Sequence, residues 1–323
     1  MEKIIELRTE FDAALKQLQL PKEPKRLYEP ITYTISNGGK RMRPLLVLLG
    51  CKLFSSSLKD ALHPALGIEL FHNFSLIHDD IMDQAPIRRG QPSVYRKWDE
   101  NVAILSGDAM IVKAYEQLLM TRPDAIPQIL VQFNKTAIEV CEGQQLDMDF
   151  EVRDDVSIDE YINMIKLKTA VLLAACLKIG AVIGGATQMQ AEKLYNFGLK
   201  AGIAFQLQDD ILDVYGESQK VGKQKGGDII ANKKTYLLLK AQELASEEQQ
   251  DRLNNLLENE RSETEKVAGV LEIYKELNVR HLAEEKMWSY FNDGLSSLQS
   301  AGGNEEWTKV LLDFSTQLMH RDS

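Results

Sequence analysis

All nine prolines of this 323-residue chain fall between Pro21 and Pro127, so more than half of the sequence contains none. Proline removes a helical donor and clashes with the preceding turn, and a long stretch without it permits long helices joined by short turns. Period-two alternation of β-branched residues never persists beyond a few positions, which removes the usual signature of strands. The expectation is an all-α fold.

Local signals divide the proline-containing part. Ile4, Ile5, Leu7, Phe11, Leu15 and Leu18 recur at helical spacing among early acids, which describes an amphipathic helix rather than a signal peptide. Pro21 to Pro30 reads as a loop, and Asn37-Gly38-Gly39 ends a short helix before Lys40-Arg41-Met42-Arg43-Pro44. A long helix is expected from about Ser57 to Asp83, with Arg88-Arg89-Gly90-Gln91-Pro92 as the following loop. Ala170 to Ala186 is the one candidate for a membrane span. It is only 17 residues long with Lys178 at its centre, so a buried core helix is the better reading. From Glu243 to Lys286, twelve acids against six Lys/Arg alternate with leucines at helical spacing, as on exposed-face helices. No boundary demands a second domain, and one domain over residues 1–323 is expected.

Two acidic runs stand out on this background: Asp79-Asp80-Ile81-Met82-Asp83 and, 130 residues later, Asp209-Asp210-Ile211-Leu212-Asp213. At about 100° per residue the first and last acids of each run share a helix face. A single such run is commonly a solvated surface, but these two follow apolar residues (Phe74, Leu76, Ile77; Phe205, Leu207), where exposed charge is unusual. Carboxylates this close repel unless a cation lies between them, and hard oxygen ligands suit Mg²⁺, which completes its shell with water and phosphate oxygens. Two such faces turned toward each other would form a cage for divalent ions acting on a diphosphate.

The formal charge of −10 argues against nonspecific nucleic-acid binding and means that an anionic substrate must be met by metal ions and a few concentrated Lys/Arg. Cys51, Cys141 and Cys176 are odd in number and widely spaced, which predicts reduced thiols and a cytoplasmic location. Gly216, Lys220, Gly222, Lys223, Lys225, Gly226 and Gly227, followed by Lys233 and Lys234, read as a basic lid over phosphates.

Gly38-Gly39-Lys40-Arg41-Met42-Arg43-Pro44, His72, Ser75-Leu76-Ile77-His78-Asp79-Asp80-Ile81-Met82-Asp83, Arg88-Arg89-Gly90 and Phe205-Gln206 before Asp209-Asp210 together resemble the trans-prenyltransferases that make linear polyprenyl diphosphates. The resemblance covers nearly the whole chain in the family's order. It implies an isoprenoid-synthase bundle of antiparallel helices around a deep central cavity, usually as a homodimer. It also implies that Asp79, Asp83 and Asp209 are ligands of three Mg²⁺ ions, or Mn²⁺ in their place, bridging an allylic diphosphate, with Asp80, Asp210 and Asp213 in support. By the same resemblance Arg88, Lys168, Lys223 and Lys233 contact the allylic diphosphate, while Lys40, Arg43, His72 and Arg89 hold isopentenyl diphosphate. Thr169 and Gln206 would offer oxygen dipoles to the allylic cation. Gln144 and Asp147 resemble a segment near the substrate, which a helix kink would explain equally well.

The chain departs from the common pattern where Lys233-Lys234-Thr235 continues into Tyr236-Leu237 instead of Leu-Pro. With only two residues between its second and third acids, the first cluster resembles the subgroup of the family in which chain length is set just upstream of it. Phe74 lies five residues before Asp79, about 7.5 Å along a helix, Phe71 nearly another turn away, and Ser75 is small. The reading is a C20 product from dimethylallyl, geranyl or farnesyl diphosphate, with C15 as the alternative. A terpene cyclase would normally lack the second cluster and the isopentenyl site, and a silent subunit of a heteromeric synthase could afford to lose its acids.

Overall fold

A computed structural model describes residues 2–216, 226–258 and 262–320. Helices dominate: α1 (Glu2–Gln17), α2 (Lys25–Ser36), α3 (Met42–Lys52), α4 (Leu62–Met82), α5 (Val94–Lys97), α6 (Glu100–Leu118), α7 (Ile126–Glu151), α8 (Ile158–Ile165), α9 (Val171–Gly184) and α10 (Gln188–Tyr215). They continue with α11 (Gly227–Ile230), α12 (Tyr236–Leu244), α13 (Glu247–Glu258), α14 (Glu263–Glu276), α15 (Val279–Ala301) and α16 (Glu305–Met319). The expected all-α class holds. The one sheet among the described residues is a hairpin of β1 (Ile87–Arg88) and β2 (Gln91–Pro92).

That hairpin corrects the loop expected at 88–92. Arg88 pairs with Gln91, and the two turn residues Arg89 and Gly90 both have positive φ, 53° and 73°, the handedness that matches strand twist in a two-residue connection. The loop expected from Pro21 to Pro30 is also shorter than the prolines suggest, because α2 begins at Lys25 and keeps Pro30 inside. Pro30 takes away one donor, yet α2 buries Ile31 and Ile35, and packing of that face against α6 outweighs the lost bond.

The chain forms two compact units. The first comprises residues 1–134, 175–195 and 300–314. Its centre is α4, buried on nearly all sides from Pro64 to Phe71 and packed against α1, α3 and α6. This explains why α4 is apolar all round rather than striped. Asp99 caps α6 by accepting from Val102 N at 2.8 Å. Backbone contact between α3 and α9 depends on three glycines: a Cβ on Gly50 would overlap the carbonyl of Leu177, one on Gly180 that of Val47 and one on Gly184 that of Cys51.

The second unit comprises residues 135–174, 196–299 and 315–323. Phe197, Leu253, Ile273 and Phe291 are buried in it. Helix α14 packs against α11, α12 and α13, and α12 packs on α8. Capping boxes at Ser157/Glu160 and Ser262/Glu265 fix the starts of α8 and α14.

Ile158–Gly184, including the turn between α8 and α9, is long and apolar enough to cross a membrane by composition alone, and 72% of its apolar window is buried within the protein. The cysteines are free, with Cys51 and Cys176 buried.

Candidate active site

In the first unit the α2–α3 turn carries three positive φ values near its end: 75° at Gly38, 131° at Gly39 and, after Lys40, 51° at Arg41. Arg41 tolerates this left-handed conformation because its guanidinium is locked. It forms an ion pair with Glu69 of α4 and donates to Ile35 O at 2.6 Å. Asn73, one turn further on, donates to Glu69 Oε1 at 3.0 Å. Lys40 therefore stands exposed beside a fixed turn.

Arg43 Nη1 lies 3.1 Å from His72 Nε2. Burial, followed by the charges of Arg43 and Arg89, pushes His72 well below its usual pKa. The ring is thus neutral, Nε2 accepts from Arg43, and the proton sits on Nδ1. Arg89, thrown out by the β-turn, donates to Gly38 O at 2.5 Å. Arg43, His72 and Arg89 are thereby tied to the α2–α3 turn and α4, and Arg43 Nε is buried without a hydrogen-bond partner.

Asp79, Asp80 and Asp83 close α4, with Asp83 at its C-cap. Asp79 and Asp83 share a face one turn apart, as their spacing requires. Asp80 turns elsewhere: it is buried and accepts from Arg88 Nε at 2.7 Å, while Arg88 Nη2 reaches Asp79 at 3.0 Å. Arg88, expected on a diphosphate, thus bridges two carboxylates, and Asp80 lies off the Asp79/Asp83 row. Phe74 is half-buried, with its ring 4.8 Å from His78 and 5.6 Å from Phe71. Phe71 is fully buried against Phe133. Ser75 donates to His72 O at 2.9 Å, so it presents little bulk beside Phe74.

The second unit contains a cavity of about 530 Å³ lined by Asp147, Lys168, Thr169, Gln206, Asp210 and Lys233, all named from sequence, together with Tyr161 and Asp228. Lys168 and Thr169 lie in a π-helical turn, Lys166–Ala170, between α8 and α9. Lys168 follows Tyr161 by seven residues, two regular turns, and Thr169 by eight, which a regular helix would carry about 80° round. The extra residue accommodated by the wider turn keeps Thr169 on the Tyr161 face as well. Gly143 of α7 makes room, since a Cβ there would overlap the backbone of Lys168. Lys168 Nζ pairs with Asp147 at 2.5 Å, which takes Asp147 out of the helix-kink reading.

Asp209, Asp210 and Asp213 sit on the last turns of α10. Asp213 accepts from the backbone N–H of Asp228 at 2.9 Å. Burial, followed by the charge of Asp228, pushes Asp210 up to about 8. Lys223 and the basic run 217–225 lie outside the described residues.

The donor set fits a hard divalent cation. Carboxylates are concentrated enough that burial and the neighbouring charge of Asp228 push Asp210 up, a shift that a bound cation opposes. Among the described residues no three Asp, Glu, His or Cys side chains form a ready-made ligand set. A cation here would take further oxygens from water and substrate, as Mg²⁺ commonly does.

Sequence reading missed Glu69, Tyr161 and Asp228. Glu69 had a signal, because it is the one acid in the apolar stretch from Leu62 to Ile77 and so must be paired when buried. Asp228 follows Gly226-Gly227, within reach of the second cluster. Tyr161 had no local signal.

Acidic rows, arginine and lysine groups and a polar cavity on an all-helical scaffold define a class of helical proteins that handle anionic substrates with divalent cations. The sequence profile of the family described as Polyprenyl synthetase matches residues 24–274. The geranylgeranyl diphosphate synthase of Methanosarcina mazei is 44% identical over 232 residues, 71% of this chain and 72% of that protein. The geranylfarnesyl diphosphate synthase of Natronomonas pharaonis is 41% identical over 250 residues, 72% of this chain and 73% of that one. A crystal structure of a geranylgeranyl pyrophosphate synthase superimposes with a TM-score of 0.94 at 43% identity, covering 99% of both chains. The chain belongs to the polyprenyl synthetase family and is a prenyltransferase with the all-α isoprenoid-synthase fold.

Proposed function

We propose that this prenyltransferase condenses isopentenyl diphosphate with an allylic diphosphate to give mainly C20 geranylgeranyl diphosphate. The observation that carries the product length is Phe74, a half-buried ring five residues before Asp79, flanked by the small Ser75 and backed by Phe71. The names of the relatives support a product of this size, although they span geranylgeranyl and geranylfarnesyl products.

In this reading Lys40, Arg43, His72 and Arg89 bind isopentenyl diphosphate. A neutral His72 accepting from Arg43 leaves the other guanidinium N–H groups for phosphate. Arg88, Lys168, Lys223 and Lys233 bind the allylic diphosphate, for which Arg88 and Lys168 exchange part of their pairing with Asp79, Asp80 and Asp147. Asp79, Asp83 and Asp209 would hold Mg²⁺, with Asp80, Asp210 and Asp213 in support. When bound, Mg²⁺ would neutralise the departing diphosphate so that the allylic C–O bond can break. Thr169 and Gln206 then face the allylic cation with oxygen dipoles, the homoallylic double bond attacks it, and the released diphosphate accepts the proton.

A homodimer is proposed from exposed apolar stripes at heptad spacing: Leu105 and Val112 on α6, Val131 and Ile138 on α7. A single synthase domain over residues 1–323 is supported by one family profile matching residues 24–274, and a cytoplasmic location by the free thiols among the described residues.

Incubation of the purified protein with Mg²⁺, labelled isopentenyl diphosphate and each allylic primer tests the reading by chromatography. Chiefly C20 diphosphate is expected, and Phe74→Ala is expected to shift the product to C25 and longer. A main product of C15 from the unaltered protein, or an unchanged distribution from Phe74→Ala, would refute the assignment of product length.

A further inference from the structure

Four polar side chains in the second unit are joined in one directed chain. Thr169 Oγ1 donates to Gln206 Oε1 at 3.1 Å, Gln206 Nε2 donates to Asp210 Oδ1 at 3.1 Å, and the Tyr161 hydroxyl donates to Asp210 Oδ2. Direction matters here, because an amide can present either its oxygen or its nitrogen to a neighbour. A carboxyl oxygen that accepts fixes the Gln206 NH₂ toward Asp210 and therefore turns its carbonyl oxygen the other way, toward Thr169 and the cavity. Thr169, having given its proton to Gln206, directs oxygen lone pairs into the same space.

The far end of the chain is built to stay still. Tyr161 is 2% exposed, on a helix whose start is pinned by the Ser157/Glu160 capping box. Asp210 is buried as well, so breaking its bond to Tyr161 cannot be compensated freely by solvent. The sequence resemblance gives Asp210 a supporting part in metal binding; here one of its oxygens accepts from Gln206 and the other from Tyr161.

We propose that Tyr161 is a positioning residue for prenyl transfer: acting through Asp210, it orients the Gln206 amide so that Gln206 and Thr169 present oxygen to the allylic cation. The inference rests on the reading of Thr169 and Gln206 as groups facing that cation. Its effect belongs to the ionisation step and not to the binding of either diphosphate.

The test is Tyr161→Phe, which keeps the ring and removes only the hydroxyl, compared with Gln206→Leu in the full-length protein. Turnover, the KM of each diphosphate, and the fraction of geranyl diphosphate hydrolysed to alcohol instead of elongated are measured, with thermal melting as the check on folding. Tyr161→Phe is expected to lower kcat about tenfold, with both KM values within twofold and a larger alcohol fraction, and Gln206→Leu to lower kcat at least as much. A drop in Gln206→Leu with unchanged kcat in Tyr161→Phe overturns the proposal and leaves the reading of Gln206 standing. Unchanged turnover in both defeats that reading and the proposal with it. A lowered melting temperature or raised KM in Tyr161→Phe without a change in kcat or in partitioning assigns Tyr161 a structural part only and also overturns the proposal.

Discussion

Asp79→Asn and Asp209→Asn are each expected to lower kcat for prenyl transfer by a factor on the order of 10²–10³ or more, the loss associated with removing one preorganised electrostatic group from a charge-separating step. The substitution preserves shape and removes a charge, so the folded state should survive. Asp79 lies at the end of α4, and its contact with Arg88 is partly exposed, worth roughly 0–1 kcal/mol. Circular dichroism and melting temperature should therefore stay near those of the unaltered protein while turnover collapses. Raising Mg²⁺ should recover part of the lost rate, because the variants weaken a cation site and leave the cavity intact. Near-normal synthesis by either variant at ordinary Mg²⁺ would remove the carboxylate-metal reading.

The largest effect on stability is expected at Glu69, a residue remote from the acidic rows. The side chains of Arg41 and Glu69 are only 6% and 3% exposed, and Glu69 also accepts from Asn73. Glu69→Ala would leave the Arg41 guanidinium buried with a single carbonyl partner, and removing one member of a buried ion pair typically costs about 3–5 kcal/mol. It would also release the left-handed backbone at Arg41, so Lys40 and Arg43 would lose their fixed footing. Urea denaturation should show a lower midpoint with an unchanged slope. The double variant Glu69→Leu/Arg41→Met should recover much of the loss, since an apolar pair has no charge to desolvate. A single-variant loss below about 1 kcal/mol would show that the pair is not the lock described here.

These two sites differ in how visible they were. Both rows of acids could be read at once because their residues are near neighbours, and helix geometry alone says which of them share a face. The all-α class was equally readable, since proline placement and missing strand periodicity act over short distances. Chain positions 21–30 and 88–92 were read less well. Pro30 sits inside α2 because burial of Ile31 and Ile35 outweighs one absent donor, and the Arg89-Gly90 turn closes a hairpin too short to leave a periodic trace.

By itself, then, the sequence determined the helical class, the family and the paired acids, because each is written in residues a few positions apart. Tertiary structure alone decided which polar groups answer one another: Glu69 with Arg41 across 28 residues, Asp147 with Lys168 across 21, Tyr161 with Asp210 across 49. Such partners are selected by burial, where an unpaired polar group is costly, and that cost arises only after the helices have packed.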